Sequence, residues 1–411
     1  TLYTDSLDYD RLYDNAYFFE GGKLIDGKDE LVSDWGEYNT ATRKAAFFYD
    51  VHMRSGENII NTDSLHYDTR TRIAHVTGPS TIKSKSTVIN TTDAYTNSKT
   101  NMSQLFGRST IVDGKKTITG DSLFHNDKLK QNEGFGNVIY TDTENKNELR
   151  CDHLFYNETT GYGYATKRAL MLDYSQKDTL YVHADSLKLY TFNIKTDSVY
   201  RKVHAFNHVR AYRDDVQAVC DSLVFSSQDS CMTMYRDPIV WNLGRQLLGE
   251  VIHVYMNDST VRKAEIVGQA LSVEKCDEKN HFNQISSKRM DAFFTDGAIR
   301  RAEATGNVKS LYYNADQKDS LLSELNYMET DTLRMYMSAE RKLQKIWASK
   351  AVGTMYPITQ IPPEKYKLPE FAWFEEIRPK DKYDVFNWRG KAAGTELKEM
   401  LRIEAPLQRL E

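Results

Sequence analysis

The sequence predicts an all-β fold made of a stack of repeated strand–turn–strand units. Three observations lead to this prediction. The tripeptide Asp-Ser-Leu occurs six times, where average residue usage gives well under one copy in a chain this long. Aromatic residues make up 12% of the 411 residues, with 26 Tyr, and such residues favour strands. Only 8 Pro occur, and six of them lie after residue 350, so the first 350 residues are almost free of residues that break a hydrogen-bonded ladder.

The Asp-Ser-Leu repeat has a regular period. Its copies begin at Asp5, Asp63, Asp121, Asp185, Asp221 and Asp319, and looser copies begin at Asp34, Asp93, Asp152 and Asp331. From Asp5 to Asp221, successive anchors are 29, 29, 30, 28, 31, 33 and 36 residues apart. A tandem repeat indicates one supersecondary unit stacked on copies of itself. The lengthening toward the C-terminus predicts longer hairpins or inserted loops there, and the copy at Asp319 is out of register with the others.

Residues 63–78 show how one unit is organised. Leu65 and Tyr67 fall on the same face of a predicted strand, because side chains alternate between the two faces. Residues 68–70 form a predicted polar turn. A second strand covers 73–76, and Gly78 ends it. Many units are followed by a closing element: Gly136-Asn137-Val138, Asn207-His208-Val209, Asp237-Pro238-Ile239 and Gly306-Asn307-Val308.

The chain divides into a repeat array and a distinct tail. Residues 1–355 are predicted to form the array, as one repeat body or as two in series. Residues 356–411 carry most of the prolines, and residues 395–402 are predicted to form a short helix. Two roles are open for this tail. A cap over the open end of the array is favoured over a docking segment for a partner, because repeat stacks need to hide their last edge.

Composition excludes some classes of function. The net charge is −4 and the pI is near 6.2, which gives no sign of a nucleic-acid partner. Mean hydropathy is −0.62, and no apolar run is long enough for a membrane-spanning helix. The chain begins in mid-repeat without a visible signal peptide, so we expect that a targeting segment has been removed. The four cysteines do not decide the redox compartment, and a Cys220–Cys231 disulfide stays an open alternative.

The residues give no indication of catalysis. The aspartates recur once per repeat in the same place, whereas catalytic groups are local exceptions in a scaffold. We therefore expect them to accept hydrogen bonds from turn amides at a strand entry. The histidines are scattered, and no hydrolase, zinc, calcium or nucleotide-binding motif occurs. The sequence predicts no catalytic residue, no metal site and no cofactor.

The positive signal is an apolar stripe that successive units place on one face. Its members are Leu7, Tyr9, Leu65, Tyr67, Leu123, Leu154, Tyr156, Leu187, Leu189, Leu223, Phe225 and Leu333. In most β-solenoids such a stripe is simply the core. If two sheets splay apart, the same stripe lines a trough for acyl chains, with charged rims left for a polar head group. The residues alone leave both readings open.

The combination of an Asp-x-Leu-x-Tyr strand, a polar turn, an Ala-containing strand and a Gly-Asn-Val closing element resembles the OstA-like family. That family includes LptA and the N-terminal domain of LptD. The resemblance covers residues 1–355 and is clearest at 63–78, 121–140, 152–170 and 185–212. It implies an elongated, open β-jellyroll with two facing antiparallel sheets, and it implies no catalytic residue.

The resemblance also implies a function. The chain is expected to be a non-enzymatic module that binds and transports lipopolysaccharide or a similar lipid during outer-membrane biogenesis, with acyl chains between the sheets. The expected location is the periplasm or the periplasmic face of the outer membrane. Expected partners are the lipid and other Lpt-type jellyroll proteins joined through edge strands, and end-to-end homo-oligomers are a further implied arrangement. Two alternatives stay open: a parallel β-helix enzyme acting on polysaccharide, and a structural or adhesive repeat protein without a ligand.

Overall fold

The computed structural model describes residues 1–391, except Gly27, Ser98, Asp127, Asp258, Ser259, Glu278, 316–320 and Arg341. This described part forms thirty strands and four short 3-10 turns, in two compact units, Thr1–Met171 and a second that begins at Leu172. The strand pairs described within either unit are antiparallel, so the predicted all-β fold is confirmed and is not a parallel β-helix. The predicted helix at 395–402, and the Asp319 copy apart from Leu321, lie outside the described residues.

The first unit contains fifteen strands, and a sixteenth crosses its C-terminal boundary. They are β1 (Leu2–Thr4), β2 (Asp8–Asp10), β3 (Asn15–Phe18), β4 (Gly22–Asp26), β5 (Asp29–Ser33), β6 (Trp35–Asn39), β7 (Lys44–Ser55), β8 (Asn58–Asp68), β9 (Ile73–Ser84), β10 (Thr87–Asn97), β11 (Met102–Asp113), β12 (Lys116–Asn126), β13 (Gln131–Asp142), β14 (Asn147–Asn157), β15 (Tyr162–Thr166) and β16 (Leu170–Asp173).

The second unit contains the remaining strands and the 3-10 turns. The strands are β17 (Leu180–His183), β18 (Ser186–Phe192), β19 (Tyr200–Arg213), β20 (Val216–Ser226), β21 (Cys231–Tyr235), β22 (Ile239–Asn242), β23 (Arg245–Leu248), β24 (Val251–Asn257), β25 (Thr260–Lys275), β26 (Phe282–Thr295), β27 (Ala298–Ala315), β28 (Leu322–Met337), β29 (Leu343–Ala348) and β30 (Val352–Pro357). The turns are Ile358–Gln360, Pro363–Lys365, Glu375–Ile377 and Asp384–Phe386.

Each long strand belongs to two half-sheets, because a bulge bends it near its middle. Where β8 pairs with β9, the register shifts between Asn61 and Ser64. On either side of its own bulge, β7 pairs with β5 through one part and with β6 through the other. We call the half-sheet that contains Ile60 the first half-sheet and the one that contains Leu65 the second. In the second unit β19 divides in the same way, pairing with β17 and with β18.

The bulges correct the predicted strand limits. Asp63 was expected at a strand entry and Gly78 at a strand end, but both lie inside long strands, at the bulge. The period of 29 residues arises because one repeat is a complete hairpin, from the start of β8 to the start of β10. The predicted turn is confirmed, since Asp68 Oδ1 accepts hydrogen bonds from the backbone N–H groups of Arg70 (2.9 Å) and Thr71 (3.0 Å).

The hairpins lengthen in the second unit, as the growing repeat spacing predicts. Strands β25 to β28 contain 16, 14, 18 and 16 residues, whereas β8 to β13 contain 11 or 12. The two cysteines considered for a disulfide are both free and buried. Cys231 lies opposite Ser226, six positions along the strand from Cys220, so the hairpin register separates the two thiols.

In the second unit, residues 358–391 form a strap across the outer face of the first half-sheet. That face is apolar there, with Val219, Ile239, Trp241, Leu248 and Leu271 in one buried cluster. The strap adds Phe374 and Ile377 to that cluster. Covering this face removes from water a hydrophobic surface that would otherwise be exposed.

Buried polar side chains hold the strap to the sheet. Gln246 is fully buried, and its amide donates to Ala372 O and accepts from Phe374 N, both at 2.8 Å. Gln284 is also fully buried and binds Tyr366 O at 3.0 Å and Leu368 N at 2.8 Å in the same way. Each glutamine thus pairs with the strap as a neighbouring strand would. The two lie two strands apart, which suits a segment that runs across the strands.

Candidate functional site

The closing elements found in the sequence form the bulges. Gly136 and Asn137 have φ of +71° and +45°, and the side chain of Val138 is buried. Two successive left-handed residues favour Gly and Asn, which adopt this conformation at the lowest cost. The sequence Gly-Asn-Val therefore turns the strand and returns an apolar side chain to the interior.

The repeated aspartates brace the outside of this bend. Asp121 Oδ1 accepts a hydrogen bond from Arg108 Nη1 at 3.0 Å, and Oδ2 accepts one from Asn137 Nδ2 at 2.9 Å. These bonds, the one from Asn137 first, lower the pKa of Asp121. Asp221 similarly binds Arg236 Nη1 at 2.9 Å. The expectation of turn amides as donors was wrong for Asp121 and Asp221, because both lie inside long strands and side chains of the neighbouring strands reach them.

A second feature of the bend was missed in the sequence. A small inward-facing residue stands three positions before the inward residue of the repeat, as Thr62 before Leu65 and Thr91 before Ala94, and in several repeats it carries a hydroxyl. Thr62 Oγ1 donates to Ser64 O at 3.2 Å and lies 2.7 Å from Ser80 Oγ. Thr91 and Ser109 form the equivalent pair at 2.9 Å. These hydroxyls satisfy carbonyl groups that the bulge removes from the ladder.

In the first unit, the Leu of the repeat belongs to a continuous inward row on the second half-sheet, which we call the Leu row. Each member lies directly opposite the next across a strand pair. The row runs Phe18, Gly36, Phe47, Leu65, Val76, Ala94, Leu105, Leu123, Gly134, Leu154 and Ala165. Large and small side chains alternate along part of the row, and this alternation lets the row pack closely.

A second inward row lies on the first half-sheet, and we call it the Ile row. Its members also pair strand by strand: Leu2, Leu24, Leu31, Met53, Ile60, Ile82, Ile89, Ile111, Ile118, Tyr140 and Leu149. Sequence reasoning missed this row. The signal was present, because an apolar residue stands five positions before the repeat Leu, as Ile60 precedes Leu65 and Ile118 precedes Leu123.

The two rows pack against each other across the bend. Ile60 and Ile82 belong to the same buried cluster as Leu65, Leu105 and Leu123. Toward the middle of the array the Ile row opens, since its members there pack on the core while staying partly exposed. These partly exposed members are Ile89, Ile111 and Ile118. Eleven strand positions are separated by ten intervals of about 4.8 Å, so the rows are roughly 48 Å long.

The mouth of this apolar interior is polar. Two positions beyond the Ile row, on the same face, the residues pair across the strands as a hydrophilic row. The row is Ser84, Thr87, Asp113, Lys116, Asp142 and Asn147. The site is therefore amphipathic in cross-section, with an aliphatic interior and a rim of hydroxyl, amide and charged groups.

The twelve stripe residues fall into three groups. Five are buried, namely Leu65, Leu123, Leu187, Leu223 and Leu333. Five are half-buried, namely Tyr67, Leu154, Tyr156, Leu189 and Phe225. Leu7 is 55% exposed and Tyr9 is 49% exposed, because they lie at the N-terminal edge, where β2 pairs only with β3 in the described part of the chain. Leu187, Leu223 and Leu333 lie in the corresponding row of the second unit, Leu187, Ala205, Leu223, Met234, Ile252, Ile266, Met290, Ala304, Leu333 and Ala348.

The outer face of the first unit differs from its interior. On the second half-sheet aromatic rings contact one another from strand to strand, for example Tyr95–Phe106 at 6.0 Å and Phe124–Phe135 at 5.7 Å between ring centroids. Such contacts stabilise the sheet. The outer face of the first half-sheet is mostly polar, as at Thr110 opposite Thr119. The aliphatic surface of this unit is thus concentrated inside.

The His, Cys, Asp and Glu side chains of the described residues do not gather into a metal site. No group of three or more His, Cys, Asp or Glu residues among them is arranged to hold a metal ion. Burial raises the pKa of the Cys151 thiol to about 12, which leaves it unreactive in the small-residue position of a bend. Nor does any helix in the described part have the length and apolar character needed to cross a membrane.

Comparisons with known proteins agree with the resemblance. The profile of the family described as OstA-like protein matches residues 1–63 of this chain, which confirms the resemblance there. No curated protein sequence matches the chain. Nine solved chains do match in structure. One is LptH from Pseudomonas aeruginosa, described as the LptA homologous periplasmic component of the lipopolysaccharide transport device. It is 13% identical, with a TM-score of 0.25, over 36% of this chain and 95% of that one. So low a TM-score carries no argument.

Proposed function

We propose that this chain, whose first 63 residues match the OstA-like family, is a non-enzymatic lipid-binding module of lipopolysaccharide transport in outer-membrane biogenesis. It holds acyl chains between its two half-sheets. It acts in the periplasm or at the periplasmic face of the outer membrane. The observation that carries this proposal is the pair of facing apolar rows, one of which is partly open to solvent.

The geometry of the rows suits an acyl chain. Ile89, Ile111 and Ile118 are partly exposed although they lie on the inward face, and they continue the buried core formed by Leu105 and Leu123. An acyl chain laid along these residues removes their remaining apolar surface from water. Each square ångström of apolar surface that is buried contributes about 25 cal/mol. The gain extends along the row because the row crosses many strands without a charged interruption.

The polar mouth suits the head group of an amphiphile. Asp113 and Lys116 lie opposite each other two positions beyond Ile111 and Ile118, on the same face. A lipid whose chains enter the interior places its polar group at this level, where hydroxyl, amide and charged side chains provide hydrogen bonds. An apolar ligand without a head group forms no hydrogen bonds with this rim.

Photocrosslinking from neighbouring positions on opposite faces tests this proposal. A benzophenone amino acid at Ile111 or Ile118 is expected to crosslink to lipopolysaccharide. The same amino acid at Thr110 or Thr119, on the outer face of the same strands, is expected to give no crosslink. Absence of crosslinks at both isoleucine positions, or equal crosslinking at the threonines, contradicts the proposal and favours a structural repeat protein without a ligand.

The partners in this proposal are the lipid and other jellyroll proteins joined through edge strands. The first and last strands support this part of it. Three apolar side chains on these terminal strands are exposed: Tyr3 on β1 (57% exposed), Trp347 on β29 (42% exposed) and Met355 on β30 (57% exposed). Exposed strand edges associate readily with other edges. Tyr3→Lys is expected to weaken end-to-end association, measured by light scattering of the full chain, and an unchanged mass distribution contradicts this part.

A further inference from the structure

The two units line their interiors differently. In the second unit, the inward row on the first half-sheet contains Val182, Ala211, Ala218, Val240, Leu247, Ser272, Ile285, Ser310, Met328 and Gly353. We call it the small row, because half of its members are Ala, Ser or Gly. The Ile row of the first unit has no residue smaller than Leu or Ile. The Leu row and the corresponding row of the second unit are similar. The difference in side-chain size between the units is therefore confined to the first half-sheet.

Two hydroxyl groups in the small row indicate a ligand, and this observation does not depend on the size of the side chains in the row. Ser272 and Ser310 are 9% and 6% exposed, and they flank Ile285 across two strand pairs. Neither side chain has a hydrogen-bond partner among the residues that the structure describes. Neither hydroxyl oxygen is among the fully buried polar atoms that lack a partner, so each is accessible from the space that the half-sheets enclose and can donate a hydrogen bond to a guest there. The bends explain the other inward hydroxyls, such as Thr62, but they do not explain these two.

We infer that the interior of the second unit holds a bulkier part of the lipid than the interior of the first, namely several acyl chains side by side near their ester or amide links. This inference rests on the proposed function. Each Ala or Ser in place of Ile leaves room for two or three more heavy atoms of a guest. The carbonyl groups where acyl chains join a head group are acceptors for the hydroxyls of Ser272 and Ser310.

Filling the small row tests the inference in the full chain. Two fluorescent probes are compared by equilibrium binding: a single-chain fatty acid and a multi-acyl lipid A. The variant Ala218→Ile/Ser310→Ile is expected to raise the Kd for lipid A at least about tenfold and to leave the Kd for the fatty acid within about twofold. Ser310→Ala keeps the space and removes one hydroxyl, so it is expected to raise the Kd for lipid A by no more than about threefold. Circular dichroism verifies that each variant is folded, and Ser310→Ile alone replaces the double variant if that variant is not.

The outcomes separate this inference from the proposed function. Equal weakening of both probes by the filled variant overturns the inference, and so does a loss with Ser310→Ala as large as the loss with Ser310→Ile. In either case wild-type binding of lipid A still supports the proposed function. If the wild-type chain binds neither probe, the proposed function itself fails, and the inference fails with it.

Discussion

Gln246 accepts a hydrogen bond from the backbone N–H of Phe374, 2.8 Å from its Oε1, although the two residues are 128 positions apart. The same amide donates to Ala372 O, so one fully buried side chain satisfies two backbone groups of the strap. Phe374 itself lies in the cluster with Trp241. The strap is therefore held by specific polar bonds set within an apolar contact. These bonds fix the register of the strap on the sheet, and they also stabilise its attachment.

Removing this amide is expected to destabilise the second unit. Gln246→Leu leaves a buried carbonyl and a buried N–H of the strap without partners, at a cost of about 1–3 kcal/mol for each group. The free energy of unfolding is measured by urea titration, with intrinsic tryptophan fluorescence as the signal, to which Trp241 and Trp373 at the strap contribute. Gln360→Leu is the matched control, since Gln360 is exposed, and it is expected to change the free energy by less than about 0.5 kcal/mol. Equal effects of the two substitutions contradict the proposed role of Gln246.

The sequence was sufficient to predict the strand repeat and the turn at residues 68–70. It was also sufficient to place Leu65 and Leu123 on an inward face. Period-2 alternation and turn chemistry are local properties, which explains this success. The strand limits were wrong because a bulge and a strand end use the same residues: Gly78 has φ of +86° inside β9, and a left-handed Gly also ends many strands.

The sequence pattern could not predict which inward residues lie opposite one another on neighbouring strands. The Ile row depends on the register between strands, and the bulge shifts that register, so Ile60 and Leu65 face inward although they are five positions apart. Plain alternation places residues five apart on opposite faces. The attachment of Phe374 to Gln246 was also unpredictable, because it joins distant segments through a side-chain amide that carries no local signal.

The same repeat position is expected to differ in importance along the chain. Leu65 is fully buried between the rows, whereas Leu7 is 55% exposed. Leu65→Ala is expected to lower the free energy of unfolding of the first unit by about 2–5 kcal/mol, because it removes buried apolar surface and leaves a cavity. Leu7→Ala is expected to cost less than about 1 kcal/mol. Urea titration of both variants checks this, and similar losses contradict the assignment of different roles to Leu65 and Leu7.

The bend at Gly136 is expected to tolerate no side chain. A Cβ on Gly136 lies 2.6 Å from Asp121 Oδ2, which Arg108 and Asn137 hold in place. Gly114 also has positive φ, at +57°, but a Cβ there meets open space. Both Gly→Ala substitutions pay the left-handed backbone cost of about 1–2 kcal/mol. Gly136→Ala is expected to cost at least about 1 kcal/mol more, because Asp121 must move. Thermal unfolding of the two variants measures the difference, and equal melting temperatures refute the bracing role of Asp121.

The buried imidazole of His204 predicts a dependence of stability on pH. It is fully buried on β19, neither ring nitrogen has a hydrogen-bond partner, and Lys188 lies opposite it on β18. Burial, and then the charge of Lys188, lower the pKa of His204 from 6.5 to about 4. Between these values the unfolded chain binds a proton that the folded chain does not bind.

The free energy of unfolding is therefore expected to fall as the pH decreases from about 6.5 to 4, by up to about 3 kcal/mol, and this contribution is complete above pH 6.5. His204→Phe keeps an aromatic ring next to Phe206 and removes the titrating group, so it is expected to abolish this part of the pH dependence. His66→Phe, at an exposed position, leaves His204 in place, so this variant is expected to retain this part of the pH dependence. The measurement is a series of urea titrations between pH 4 and pH 8. A wild-type slope that survives in His204→Phe assigns the effect to other groups.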